Sequence, residues 1–272
     1  MRPYSRLYRV TDWLHFVPLP AAGWLSRPRG AAALVGGVLA WCGALAFASA
    51  INQAFDDRLD RDGKNPVSEA FGRRRAIALS IPPAAGALAL LAWWSPDGLL
   101  PAVVMMVAAA IYSAPPRLKR VPVVGTIWNS IIGVPGFFFA GRPLITELPL
   151  RPLAGLFALL LLVSQLLHEA ADRDDDAGHV RTIATEAGRR GALIGALALV
   201  LATPIAGWWL AAGAARRPAI VVACGLFAVF WGGILGTRLR TDDRAVLQRM
   251  RLAYRYTALA LGCAVFLALD LP

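Results

Sequence analysis

The sequence consists largely of long apolar runs, and these restrict the folds open to it. Nine runs follow one another along the 272 residues, several of them close to the ~20 residues that a helix needs to span a bilayer. They cover about residues 12–26, 31–51, 76–96, 98–114, 121–141, 152–170, 191–212, 218–236 and 252–270. Hydrophobic residues make up 57% of the chain and charged residues 17%, whereas a soluble domain carries roughly 25% charged residues. The sequence therefore predicts an all-α integral membrane protein with nine transmembrane helices.

The segments between the runs leave no room for a further soluble domain or a low-complexity linker. We therefore expect a single transmembrane domain over residues 1–272. The basic N-terminus leads directly into apolar residues 13–25 without a small-residue cleavage site, so no removable signal peptide is expected.

The basic residues predict the orientation. If the N-terminus and the loops after the second, fourth, sixth and eighth runs share one side, that side holds 22 of the 28 Lys and Arg residues. The positive-inside rule makes this side cytoplasmic, and we expect the protein in a bacterial cytoplasmic membrane. The net charge of +11 then reflects membrane orientation and contact with anionic membrane lipid, and nucleic acid is not an expected partner.

Two clusters of polar and acidic residues each close an apolar run on this cytoplasmic side. The first acidic cluster is Asn52, Asp56 and Asp60. The second acidic cluster is Glu169, Asp172 and Asp176. Spacings of three and four residues place the members of each cluster on one face of a helix. Such groups at the mouth of an apolar helix are costly unless they line a wet cavity or bind cations.

The residue types of these clusters suit a particular ligand. Carboxylate and amide oxygens are preferred by Mg²⁺, which usually keeps several waters and shares the phosphates of a substrate. The basic residues beside the clusters could bind a polyanion, and the apolar helices could hold a long hydrophobic tail. An amphiphile with a diphosphate head meets both conditions. With Mg²⁺ on the diphosphate, its C–O bond can ionise, and an apolar chamber would shield the resulting allylic cation from water.

These motifs resemble those of the UbiA superfamily of intramembrane prenyltransferases. The N-x₃-D-x₃-D spacing of the first acidic cluster resembles the first signature of that family. The second acidic cluster is similar to the family's D-x₂-D-x₃-D, and the pair Arg181-Thr182 resembles the continuation of that motif. Between them, the segment from Tyr112 to Arg120, YSAPPRLKR, resembles the family's Tyr-Ser-Pro…Leu-Lys-Arg loop after helix four. The resemblance covers nearly the whole chain.

The resemblance implies nine helices around a central apolar cavity, with the N-terminus and the active-site loops in the cytoplasm. It also implies Mg²⁺-dependent transfer of a prenyl group from a polyprenyl diphosphate to an aromatic or other lipophilic acceptor. The implied Mg²⁺ ligands are Asn52, Asp56, Asp60, Glu169, Asp172 and Asp176. The implied diphosphate contacts are Asn52, Lys119, Arg120, Arg181 and Arg9. The implied catalytic residues are Asp56, Asp60, Asp172, Asp176 and Tyr112, the last near the reacting carbon.

Three positions depart from the family pattern. Glu169 stands where the family usually has Asp, which keeps the charge and lengthens the reach of the side chain. Gln53 replaces the commoner Asp after the first Asn. The run Lys64-Asn-Pro-Val-Ser-Glu stands where many members carry a basic Arg-Pro…Ser-Gly segment. These departures leave the donor loop and the acceptor open.

Several residues and two other functions remain as alternatives. By helical geometry Asp57 and Asp174 point away from the acidic faces, while Asp175 could assist and His168 could orient an acceptor or act as a base. A terpene synthase or cyclase of the same superfamily would share the ionisation step and need no acceptor. A non-enzymatic cation transporter or scaffold would place its acidic residues in the middle of apolar runs, whereas here they lie at the ends of runs.

Overall fold

The computed structural model describes residues 3–13, 16–25, 30–56, 72–140, 150–178, 180–212 and 217–268, and every regular element in these ranges is a helix. The α-helices are α1 (Pro3–Tyr8), α2 (Val10–Trp13), α3 (Pro18–Leu25), α4 (Ala31–Asp56), α5 (Gly72–Trp94), α6 (Leu99–Ser113), α7 (Pro122–Ile131), α8 (Leu150–Asp176), α9 (Ile183–Glu186), α10 (Gly188–Leu201), α11 (Thr203–Leu210), α12 (Arg217–Arg238) and α13 (Arg244–Ala268). Short 3₁₀ helices occupy Pro96–Gly98, Leu118–Arg120 and Val134–Phe138. The all-α class predicted from the sequence is confirmed.

Six helices of the described ranges are long and apolar enough to cross a membrane. They are Ala31–Asp56, Gly72–Trp94, Pro96–Ser113, Gly155–Asp176, Gly188–Leu210 and Arg217–Arg238. These correspond to six of the nine predicted runs. The other three runs fall on α3, α7 and α13. Helices α3 and α7 have only 8 and 10 residues, and the first half of α13 is rich in arginine. The count of nine spans, the central cavity and the cytoplasmic N-terminus therefore remain predictions.

The chain divides into two compact units. The first comprises residues 1–118 and 135–147, and the second comprises residues 119–134 and 148–272. The first acidic cluster belongs to the first unit, and the second acidic cluster belongs to the second unit.

In the first unit, α4 is the central helix, in contact with α1, α3, α5 and α6. Trp41 is fully buried, donates its indole N–H to the Phe16 carbonyl at 2.9 Å, and packs edge-to-face on Phe139 with ring centroids 5.0 Å apart. Gly37 permits close backbone contact at this level, because a Cβ there would lie 2.7 Å from Cα of Ala140. This packing fixes the helix that ends in the first acidic cluster.

In the second unit, α8 is the central helix, in contact with α7, α9, α10, α11 and α13. Leu156, Leu160, Val163 and Leu167 recur every three or four residues along α8 and are all buried. Helices α12 and α13 join through Trp231, whose indole N–H donates to Thr257 Oγ1 at 2.8 Å. The second acidic cluster thus lies at the end of a helix that is packed on several sides.

The close contact at Gly37 leads to a prediction about stability. Gly37→Ala should destabilise the protein by about 1–3 kcal/mol, since the clash is with backbone atoms of Ala140 that cannot rotate away. Gly86→Ala is the matched control, because a Cβ at Gly86 meets nothing within 4 Å and Ala favours a helix. Thermal unfolding of the detergent-solubilised proteins, followed by tryptophan fluorescence, should show a lower Tm for Gly37→Ala alone. Equal Tm values for both variants would contradict this packing.

Candidate active site

The first unit presents Asn52 and Asp56 on the last two turns of α4, one helical turn apart and both half-buried. Ser113, the last residue of α6, donates its hydroxyl to Asn52 Oδ1 at 3.1 Å and so orients the carboxamide. Arg117 Nη2 donates to the carbonyl of Phe55, on the last described turn of α4, at 3.4 Å. The segment after α6 therefore holds the end of α4.

Two further sequence-predicted residues of the first unit, Tyr112 and Arg9, lie next to residues that contact the end of α4. Tyr112 is half-buried and directly precedes the Ser113 that binds Asn52. Arg9 follows α1, which packs its Leu7 against Ala50 and Ala54 on the final turns of α4. Asp60 and Asp57 lie outside the described residues.

The second unit presents Asp172 and Asp176 one helical turn apart at the end of α8, both half-buried. Asp172 Oδ2 lies 2.9 Å from His168 Nδ1, one turn earlier on the same helix. Arg244 and Arg251 of α13 lie near enough to Asp172 to interact with its charge. Asp172 therefore lies beside one histidine and two arginines.

Lys119 belongs to the same unit and is buried, with an exposed fraction of 7%. Burial and, to a smaller extent, the neighbouring charge of Arg120 lower the pKa of Lys119 to about 8, while Asp176 acts in the opposite direction. The side chain thus lies within electrostatic range of the second acidic cluster. Arg120, next in the chain, is exposed.

Two other predicted site residues of the second unit have different surroundings. Arg181 is exposed and donates through Nε to Glu186 Oε1 at 2.7 Å. Glu169 has an exposed fraction of 4% and accepts hydrogen bonds from Thr126, Gln165 and the backbone of Ile183. Glu169 thus differs from Asp172 and Asp176, which are half-buried.

The remaining acidic residues of this region bind arginine. Asp174 is exposed, as helical geometry predicts, and accepts from Arg189 Nη2 at 2.9 Å. Arg189 is buried and also donates to Asp242 Oδ1 at 3.1 Å and to the Ala170 carbonyl at 2.9 Å. Asp175 binds Arg244 of α13 through two hydrogen bonds. These pairs hold α10 and the start of α13 on the end of α8.

Sequence reasoning missed several of these residues. Ser113 and Arg117 lie inside the quoted segment from Tyr112 to Arg120, so the motif contained them without indicating what they contact. Arg189 lies 15 residues from Asp174 along the chain, and nothing in that spacing indicates their pairing. Thr126 gives no sequence signal at all.

The residues present fit a Mg²⁺ ion shared with a substrate. Within the described part of the chain no three His, Cys, Asp or Glu side chains converge as a metal-binding group. Each unit instead provides a pair of oxygen-bearing side chains one turn apart, Asn52 with Asp56 and Asp172 with Asp176. Mg²⁺ in phosphate-binding enzymes usually takes one or two carboxylates and completes its shell with waters and phosphate oxygens.

Comparison with known proteins decides the family. The model of the UbiA prenyltransferase family matches residues 16–268. The chain belongs to this family. The match confirms the resemblance to the UbiA superfamily that the motifs indicated. No curated protein matches the sequence significantly.

Solved structures show the UbiA fold over nearly the whole chain. A UbiA homolog from Archaeoglobus fulgidus bound to GPP and Mg²⁺ is 22% identical, with a TM-score of 0.77 over 97% of this chain and 99% of that chain. A structure of digeranylgeranylglyceryl phosphate synthase is 16% identical, with a TM-score of 0.71 over 99% and 98%. The apo UbiA homolog from Aeropyrum pernix K1 is 21% identical, with a TM-score of 0.66 over 96% of each chain. Together with the six apolar helices, membership of the UbiA family identifies an integral membrane protein.

The arginine pairs of this UbiA-family protein lead to a second prediction. Arg189→Leu should destabilise it by about 1–3 kcal/mol, because four hydrogen-bond acceptors lose a buried donor. The loss of stability should be smaller than the loss caused by a buried charge without a partner, because Asp174 and Asp242 are 62% and 90% exposed. Arg190→Leu removes the same charge from an exposed neighbouring position and should leave the Tm nearly unchanged. The Tm of both variants in detergent checks this, and a smaller loss for Arg189→Leu than for Arg190→Leu would contradict it.

Proposed function

We propose that the protein is a Mg²⁺-dependent prenyltransferase that moves a prenyl group from a polyprenyl diphosphate to a lipophilic acceptor within the membrane. The observation that carries this proposal is the pair of polar side chains at the C-terminal end of each of α4 and α8. Each of these apolar helices ends in two oxygen-bearing side chains one turn apart, in a chain of the UbiA family. Solved UbiA homologs from Archaeoglobus fulgidus are bound to GPP and Mg²⁺ and to DMAPP and Mg²⁺, which supports the same ligands here.

The Mg²⁺ ligands we propose are Asn52, Asp56, Asp60, Asp172 and Asp176. Bound Mg²⁺ supplies charge neutralisation of the diphosphate, which makes it a better leaving group when the allylic C–O bond ionises. Ser113 keeps the carboxamide oxygen of Asn52 in a fixed orientation, and His168 does the same for the carboxylate of Asp172. Preorganised ligands of this kind lose little entropy when the substrate binds.

The basic residues we propose for the diphosphate are Lys119, Arg120, Arg181 and Arg9. Lys119 has the strongest structural support, because it is buried and within electrostatic range of Asp176. A buried amine loses hydration, so an arriving diphosphate oxygen is a favourable partner for it. Arg181 would exchange its exposed pair with Glu186 for the diphosphate.

The remaining part of the reaction is the fate of the allylic cation. We place Tyr112 near the reacting carbon, because its neighbour Ser113 binds Asn52. The apolar spanning helices would exclude water until the acceptor attacks the cation. The positive-inside rule supports a cytoplasmic location for the active-site loops. An aromatic or other lipophilic compound is the proposed acceptor.

The direct test uses the purified protein in lipid bilayers with Mg²⁺ and allylic diphosphates of graded chain length. We expect diphosphate release to fall by about 100-fold or more in Asp56→Asn and in Asp172→Asn, because each removes a charge that holds Mg²⁺ on the leaving group. Asp174 is exposed and lies on the same helix as Asp172, so Asp174→Asn should retain diphosphate release and serves as the matched control. Unchanged release in both ligand variants would refute the mechanism.

Product analysis by mass spectrometry separates the possible outcomes of this experiment. A prenylated product that forms only with added membrane extract supports transfer to an acceptor. A cyclised or deprotonated hydrocarbon from the donor alone identifies a terpene synthase instead. No diphosphate release with any chain length would favour a non-enzymatic cation transporter or scaffold.

Lys119 makes donor binding depend on pH. With a pKa of about 8, the amine loses its charge as the pH rises through that value, and only the charged form attracts diphosphate. Since a bound anion raises the pKa of Lys119, binding above pH 8 takes up a proton. We expect the Kd for inorganic pyrophosphate with Mg²⁺, measured by calorimetry, to rise by up to about tenfold per pH unit above pH 8.

Lys119→Arg is the control for this pH dependence, because the guanidinium remains charged throughout the range. In Lys119→Arg, the Kd for pyrophosphate should change with pH only through the titration of pyrophosphate itself. Parallel curves for the two proteins would show that Lys119 does not contact the diphosphate.

A further inference from the structure

We propose that Glu169 is a positioning residue, although the family signature would make it a Mg²⁺ ligand. In this proposal Glu169 fixes the segment that follows the second acidic cluster, and Asp172 and Asp176 are the only metal ligands of that cluster. The inference rests on the proposed function, since it concerns how the same site is built.

The hydrogen bonds of Glu169 already use both carboxylate oxygens. Oε1 lies 2.6 Å from Thr126 Oγ1 and 3.1 Å from Gln165 Nε2. Oε2 accepts the backbone N–H of Ile183 at 3.1 Å, and the backbone N–H of Ala184 also donates to this carboxylate. An ionised carboxylate offers about four acceptor positions, and four donors surround this one. A metal ion at Glu169 would have to displace donors from an almost fully buried group.

The donors themselves are held in place. Gln165 accepts from Asn129 Nδ2 at 2.5 Å through its other amide atom, so its orientation is set from α7. Thr126 also lies on α7. Glu169 therefore connects α8 to α7 on one side and to the start of α9 on the other.

The connection to α9 has a consequence for the second acidic cluster. The first N–H groups of a helix lack intrahelical partners, and Glu169 accepts two of them from α9. The chain between α8 and α9 turns directly after Asp176, where the Val180 N–H donates to the Asp176 carbonyl at 2.9 Å. Glu169 thus closes the loop that begins at Asp176, and so fixes the last turn of α8.

The departure of Glu169 from the usual Asp has a physical reason in this arrangement. The position lies on the same face of α8 as Asp176, about 20° around the helix and two turns earlier, given 100° per residue. Its carboxylate must reach Ile183, which belongs to the next helix. The additional methylene of Glu provides that reach, and a shorter Asp would leave the backbone donors of α9 without their acceptor.

The two roles of Glu169 predict opposite results in protein that contains no divalent ion. If Glu169 is a positioning residue, Glu169→Gln replaces one acceptor oxygen by an amide N–H₂, which faces donor groups in either orientation and loosens the contact between α8 and α9. The Tm should then fall, and hydrogen exchange of residues 183–186 should become at least about tenfold faster. If it is a ligand, the same variant removes repulsion from the neighbouring carboxylates, so the metal-free protein should be as stable as the parent or more so.

Glu169→Asp gives the second contrast. As a ligand it would restore the usual residue of the family and retain metal binding. As a positioning residue it should lower the Tm and accelerate exchange in the same way as Glu169→Gln. Glu186→Gln, which alters only the exposed pair with Arg181, is the control and should leave the Tm unchanged.

Binding of Mg²⁺ with inorganic pyrophosphate, measured by calorimetry, completes the test. We expect Asp172→Asn to raise the Kd by at least about tenfold. Thr126→Val is a milder variant that removes a donor without altering the carboxylate, so it keeps the test available if the Glu169 variants do not fold. It should lower the Tm and change the Kd by less than about threefold.

The proposal is overturned if Glu169→Gln leaves the metal-free Tm and the exchange of residues 183–186 unchanged, or if Thr126→Val leaves the Tm unchanged. These measurements do not depend on turnover. The proposed function is refuted separately, by unchanged diphosphate release in Asp56→Asn and Asp172→Asn.

Discussion

The structure depends on the high cost of placing polar side chains in helices that lie in an apolar environment. A charged or hydrogen-bonding group there must have partners within the protein, since lipid offers none. Helix α8 meets this requirement in two ways. Gln165 and Glu169 are buried and bonded to side chains and backbone of α7 and α9. Asp172 and Asp176 are half-buried at the helix end and keep part of their surface accessible to a ligand. Burial thus separates Glu169, whose partners lie within the protein, from the two carboxylates that stay accessible.

Helical periodicity was sufficient to predict that polar side chains at the ends of α4 and α8 pair on one helical face. A spacing of four residues places Asn52 with Asp56 and Asp172 with Asp176 whatever the rest of the fold does. The different position of Glu169 could not be predicted in this way. Its surroundings depend on Thr126, 43 residues earlier, and on Ile183, 14 residues later. Such contacts are set by packing between helices, and spacing along one helix carries no information about them.

Hydropathy likewise predicted where helices lie better than how long they are. The apolar run 121–141 contains Gly133, Pro135 and Gly136, and α7 ends before them at Ile131. The 3₁₀ helix Val134–Phe138 follows. Proline cannot donate a backbone hydrogen bond and glycine weakens a helix interior, so an apolar run need not be one continuous helix. A hydropathy average is insensitive to such breaks, which explains why the apolar run 121–141 is not one continuous helix over its described residues.

The arginines of α13 show how a helix whose mean hydropathy is too low for a predicted span can still pack against an apolar helix. Arg244 binds Asp175, and Arg255 donates to Ser164 Oγ at 3.2 Å. On α8, Asp175 lies eleven residues after Ser164, whereas on α13 Arg244 lies eleven residues before Arg255. Helices α8 and α13 therefore run antiparallel and stay in register over roughly 16 Å. Arg244 and Arg255 therefore face α8, where they find oxygen partners. These arginines, which sequence analysis assigned to membrane orientation, also hold together the helices that carry the second acidic cluster.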